Sequence, residues 1–308
     1  MPIKIPDALP AARILETEGV ALIPESAAIR QDIRPLRIAV LNLMPEKIKT
    51  ETQLARLLAH SPLQVELTLL MTGSYRPKTT PREHLIAFYR TWDQAAEERF
   101  DGLIVTGAPV ETLPFEDVLY WKELKQVFEW TKSNVYRTLN ICWGAQAAAY
   151  HFHQLPKYIL PTKRFGVFSH QVLIPEDSLL RGFDDAFHIP VSRHTEVRAE
   201  DVAARPGLQM LAWSDQAGVC LLKDRTVRHH YMFNHIEYDD VTLGDEYYRD
   251  IEANKPIVLP ANYFPDDDPS KPPRNRWRSH AHLLFGNWLN DVYQGTPFDL
   301  AELSAETV

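Results

Sequence analysis

The sequence predicts an α/β protein, with a parallel sheet covered by helices on both faces and a mixed or antiparallel extension. Three observations predict it. Through the first half, short apolar runs alternate with amphipathic segments. Parallel neighbours need a helical crossover, so that alternation reads as β-α-β-α around an open sheet. Beyond about residue 160, short apolar runs follow one another without long helices between them, the pattern of turn-connected strands.

Each element follows in order. Leu36–Leu43 (LRIAVLNL) is almost continuously apolar, as expected of a strand buried on both faces. The segment 47–61 carries Ile48, Leu54, Leu57 and Leu58 at near-helical spacing. Leu63–Met71 reads as a strand and 83–96 (EHLIAFYRTWDQAA) as one helix. Asp101–Gly107 is a third buried strand, followed by a long amphipathic helix over 115–132. The run 136–142 (YRTLNIC) is a fourth strand, entering a helix at Trp143. Later strands are predicted in FGVFSHQVLI, FHIPVSR, LQMLAWS, GVCLLK and VRHHYMF, and helices in DDVTLGDEYYRDIEAN and RWRSHAHLLFGNWLNDVYQ. No linker divides the chain. We expect one elaborated domain over 1–308: an N-terminal extension (1–35), a parallel core (36–160), then completing strands and C-terminal helices (161–300).

Composition narrows the function. The 308 residues carry a formal charge of -8, which argues against nucleic acid as a partner. No apolar run is long enough to span a bilayer, so no membrane partner is expected. The opening MPIKIPDALPAARILETEGV lacks a secretory h-region, and two cysteines make no disulfide framework. A reducing cytoplasm is the expected location.

One of those cysteines sits at a corner. In RTLNICWGAQAAAY, Cys142 ends the fourth strand and a helix begins at once. Ligands of open α/β sheets collect at the carboxyl ends of strands. A sharp strand-to-helix turn exposes a nucleophile, and Gly144 and Ala145 relieve crowding there. The helix dipole favours a thiolate, and backbone N–H groups such as that of Trp143 are placed to hold an oxyanion. The competing reading is a buried cysteine acting as a small hydrophobe; Cys220, mid-strand among apolar neighbours, is expected to be that. A nucleophilic cysteine needs a base and an orienter. FNHIEYDD supplies His235 and Glu237, which share one side of an extended chain. His151 and His153 face apart on a helix, and no CxxC or HExxH occurs, so no metal site is expected.

These residues carry a resemblance. The cysteine elbow, the H-x-E some ninety residues later and the flavodoxin-like strand order resemble the class I glutamine amidotransferase superfamily. Within it, LNLMPEKIKTE, VTGAPVE, LNICWGAQAAAYH, FGVFSH, SRHTEV and FNHIEYD together resemble the homoserine O-acyltransferases of methionine biosynthesis, from about residue 1 to 300. Asn140, where amidotransferases usually have glycine, matches the acyltransferase pattern.

The resemblance implies a ping-pong reaction with no bound cofactor. Cys142 would take an acyl group from an acyl-CoA; His235, oriented by Glu237, would move protons; L-homoserine would receive the acyl group. It further implies that Lys47 assists the active site, that Arg249 grips the homoserine carboxylate, and that Lys163 and Ser192 contact substrate. A homodimer is also implied. The resemblance assigns acyl choice to Glu111, with glycine there going with succinyl transfer and glutamate with acetyl transfer. Physical reasoning agrees: a glutamate facing the free carboxylate of a succinyl group at about 4 Å costs roughly 4 kcal/mol at an effective dielectric near 20, about a thousandfold. The expected donor is therefore acetyl-CoA, with succinyl-CoA the alternative. A glutamine amidotransferase or cysteine hydrolase on the same fold is the more distant one, and a non-catalytic binding protein another. Arg274, Arg276 and Arg278 in PPRNRWRSH are read as a solvated charged loop rather than a CoA site.

Overall fold

The computed structural model describes residues 3–5, 22–24, 34–77 and 79–303. Most of the expected N-terminal extension lies outside them. Its described pieces, β1 (Ile3–Ile5) and β2 (Leu22–Pro24), pair in parallel.

The core follows the predicted alternation: β3 (Leu36–Leu41), α1 (Lys47–Leu58), β4 (Val65–Met71), α2 (Arg82–Phe88), β5 (Tyr89–Thr91), α3 (Trp92–Ala95), β6 (Phe100–Val105), α4 (Trp121–Asn134), β7 (Val135–Ile141) and α5 (Trp143–His153). Then come β8 (Tyr158–Val172), β9 (Ala186–Glu196), α6 (Ala199–Ala203), β10 (Leu208–Ser214), β11 (Gly218–Asp224), β12 (His229–Met232), α7 (Thr242–Glu252) and α8 (Arg278–Gly295). Ten strands form one sheet in the order β5-β4-β3-β6-β7-β12-β11-β10-β8-β9.

Strand alternation divides the core. Ile38 and Val40 pack in a cluster with Leu54 and Leu57 of α1 and Phe285 and Trp288 of α8. Ala39 and Leu41 pack in another with Leu124 and Phe128 of α4 and Ala148 of α5. Each central strand thus buries both faces, which is why its sequence is apolar throughout.

Two expected helices are shorter than their patterns. The helix over 83–96 breaks at Tyr89, where three residues pair with β4 as an edge strand. The Tyr89 ring is drawn inward, its hydroxyl donating to Glu51 at 2.6 Å and accepting from Asn42 at 2.9 Å. Thr91 then restarts a helical turn through a capping box with Gln94. The helix over 115–132 begins only at Trp121, because Phe115 turns in to stack on Tyr150 at 4.5 Å.

The decisive departure is β12. Read as part of the extension, it instead pairs in parallel with β7, His229 to Met232 against Thr138 to Ile141. Six neighbouring strands are therefore parallel. β11, β10, β8 and β9 continue antiparallel. The carboxyl ends of β6, β7 and β12 lie side by side.

Candidate active site

Those three ends build the site. The amide of Cys142 donates to Met232 O at 2.7 Å, the last link between β7 and β12. The chain then turns through Cys142 at φ 52°, ψ -118°, and α5 starts. A non-glycine residue held there stores roughly 1–3 kcal/mol of strain, which the surrounding packing must sustain. Gly144 makes the turn possible: a Cβ on it would lie 2.6 Å from Thr106 O and 2.9 Å from Val105 O. Trp143 is the first helical residue, so its amide has no carbonyl one turn back to bond.

Gly107, after β6, closes the other side. A Cβ there would stand 3.1 Å from Cys142 Cβ and 3.6 Å from both Cys142 Sγ and His235 Cε1. Sulfur and imidazole thus converge on a space that only glycine leaves open. His235 follows β12, its amide bonded to Pro190 O at 2.9 Å. Its Nδ1 meets Glu237 Oε1 at 2.7 Å, and its ring stacks on Tyr238 at 4.1 Å. Both members of the pair are buried. Burial pushes the imidazole pKa down, but the charges of Cys142 and Glu237 and their hydrogen bonds outweigh it, holding it well above the ordinary value. This is the geometry of nucleophile, base and orienting carboxylate.

The three line one cavity of about 830 Å³. Its walls also include Glu111, Lys163, Ser192 and Arg249. Glu111 is half-buried, not splayed into solvent. One carboxylate oxygen accepts from the His194 amide at 2.9 Å and the other meets Thr195 Oγ1 at 3.2 Å. Across the cavity, Glu246 gathers the remaining candidates. It accepts from Ser192 Oγ at 2.8 Å and from the Lys163 ammonium, and Arg249 stands 3.9 Å away. Arg249 also pairs with Asp250 at 2.9 Å.

Lys47 departs from expectation. It does not line the cavity. Its ammonium is buried, donating to the carbonyls of Asn42 and Met44. Burial lowers its pKa to about 8, with Glu51 opposing. It ties down the β3–α1 turn, whose Met44, Pro45 and Glu46 form part of the cavity wall. Cys220 is fully buried, its thiol pushed up to about 12 by burial, as suits a core residue. Arg276 and Arg278 bond Asn262 O and Asp240, away from the cavity wall.

Comparison with known proteins follows from this geometry. The family model described as homoserine O-succinyltransferase matches residues 2–298. The chain belongs to the homoserine O-succinyltransferase family. Curated relatives include a homoserine O-acetyltransferase of Hyphomonas neptunium, 60% identical over 98% of this chain and 99% of that one. Another homoserine O-acetyltransferase, from Sinorhizobium fredii, is 58% identical over 98% and 99%. Among solved structures, a glutamine amidotransferase from Thermotoga maritima covers 85% of this chain and all of its own, with TM-score 0.56 and 13% identity. That likeness shows the fold alone.

Within this homoserine O-succinyltransferase-family chain, three site residues escaped the sequence reading. Glu246 was hidden in an ordinary helical charge pattern; its only signal was its place three residues before Arg249. Tyr238 stood three residues beyond His235, where one further turn of FNHIEYDD folds it under the ring. Gly107 lay inside VTGAPVE, and the strand-end position was its signal.

Proposed function

We propose that this chain is a homoserine O-acetyltransferase, working through a Cys142 thioester. Support comes first from one arrangement: a strained cysteine, coupled to a buried His235–Glu237 pair, at the wall of a cavity large enough for an acyl carrier. Cys142 thiolate attacks the acetyl-CoA carbonyl. The C–S bond to CoA breaks, and the leaving thiolate takes the imidazolium proton of His235. Acetylation removes the thiolate charge that had helped raise the imidazole pKa, and burial now pulls it down. His235 is thereby converted from acid to base. It accepts the hydroxyl proton of L-homoserine as that oxygen attacks the thioester, and Cys142 departs as thiolate. The backbone amide of Trp143 serves the oxyanion in both steps.

Glu246 suits the homoserine ammonium and Arg249 its carboxylate, with Lys163 and Ser192 holding Glu246 in place. Asp250 beside Arg249 is a competitor that the bound carboxylate displaces.

The family is described by succinyl transfer, whereas its relatives from Hyphomonas neptunium and Sinorhizobium fredii are named for acetyl transfer. Glu111 supports acetyl here. Its carboxylate is tied by two hydrogen bonds and cannot swing away cheaply from a second negative charge. The reading goes with a reducing cytoplasm, where Cys142 is kept out of disulfides, and with a homodimeric enzyme. Among the described residues no helix is long and apolar enough to cross a membrane.

Donor selection tests the reading. Parent and Glu111→Gly are compared with acetyl-CoA and succinyl-CoA. The glycine variant is expected to raise the succinyl-to-acetyl ratio of kcat/KM at least tenfold, within the roughly thousandfold ceiling of one close charge pair. An unchanged ratio contradicts the electrostatic account.

A further inference from the structure

The cavity is far larger than a four-carbon amino acid and a two-carbon acyl group require; about 830 Å³ is the size of a site for a drug-sized ligand. If acetyl-CoA is the donor, its carrier arm must occupy the remainder, and its phosphates must emerge at the mouth. Phosphates seek cations that are not already paired.

Among the described residues, four lysines and arginines line the cavity, and three are committed. Lys49 pairs with Asp245 at 2.7 Å, closing α1 onto α7. Lys163 pairs with Glu246, and Arg249 with Asp250. Lys255 alone has no carboxylate within ion-pair distance among the described residues, and it is exposed.

Its position is built, not incidental. α7 ends at Glu252, and Asn254 takes the left-handed conformation at φ 52°. The amide of Asn254 bonds Ile251 O and that of Lys255 bonds Asp250 O, both at 2.9 Å. This is a Schellman closure, which reverses the chain and satisfies the last helical carbonyls. Pro256 follows and also lines the cavity. The cap thus delivers an unpaired ammonium to the rim, on the same wall as Arg249.

We propose that Lys255 is the phosphate-binding residue for the acyl carrier, holding a phosphate of CoA at the cavity mouth. The inference rests on the acyl-CoA reading above and deepens it. A lysine near a helix C-terminus also complements the dipole, but that role has no bearing on donor affinity.

The test compares acetyl-CoA with acetyl-pantetheine, which keeps the thioester and arm but lacks every phosphate. Turnover of both donors by the parent enzyme is measured first; failure there would sink the acyl-CoA reading itself. Given turnover, Lys255→Ala is expected to raise KM for acetyl-CoA about tenfold, with kcat and the KM for acetyl-pantetheine unchanged. Lys255→Arg is expected to restore most of the loss. Equal effects on the two donors, or no effect on either, would overturn the assignment.

Discussion

Cys142, His235 and Glu237 form an electrostatic unit in which the other two hold the charge of His235. Burial alone would leave His235 neutral. The charge of Cys142 and the Glu237 carboxylate together reverse that preference, and the second oxygen of Glu237 is buried with no hydrogen-bond partner among the described residues. Glu237→Gln keeps the shape and removes the charge. We expect the imidazole pKa to fall, so the alkaline limb of the pH profile for Cys142 acetylation should move to lower pH, with the maximum reduced on the order of a hundredfold. The stability effect has a definite sign. A raised imidazole pKa contributes stability in full below the unfolded value near 6.5 and loses it as pH rises through the folded value. The variant's deficit in chemical denaturation should therefore be largest at and below about pH 6.5 and shrink at higher pH. A profile and a deficit that do not move with this substitution would contradict the coupling. These three residues were legible in sequence only together, because an H-x-E pair, weak by itself, gains meaning as the partner of a cysteine at a strand end. Glu111 was legible as well. Lys47 was legible as a residue following the first core strand but not as buried: nothing in MPEKIKT shows that its ammonium bends back onto its own turn.

At the scale of elements, the site depends on how closely α5 approaches β6. Gly144 permits that approach, since a Cβ would drive into the carbonyls of Val105 and Thr106, both rigid backbone. Gly144→Ala should cost about 1–3 kcal/mol of stability by overpacking. It should also lower acetylation by more than tenfold, because any relief moves the Cys142 turn. Wild-type melting temperature and rate together would contradict this. Central strands and the α1 and α5 helices were readable because burial on one or two faces leaves a period in the sequence. The 83–96 helix was misread because its break depends on Tyr89 finding Glu51 and Asn42, residues 38 and 47 positions away. Propensity carries no record of such partners. The parallel pairing of β12 was invisible for the same reason: its ladder partner β7 is separated from it by α5, α6 and four strands.

For the whole molecule, the sheet order is what makes a site. Chain order puts Cys142 and His235 ninety-three residues apart by number; sheet order makes their strands neighbours. Antiparallel strands β8 and β9 then bring Lys163 and Ser192, and α7 brings Glu246 and Arg249, to face the same opening. In the proposed reaction the sulfur carries the acetyl group between two substrates that never meet. Mass spectrometry of the full chain mixed with acetyl-CoA, in the absence of L-homoserine, tests that most directly. The account predicts one acetyl group on the peptide containing Cys142, released as O-acetyl-L-homoserine when L-homoserine is added. Steady turnover without any acetylated cysteine, or acetyl on another residue that discharges to homoserine, would contradict it.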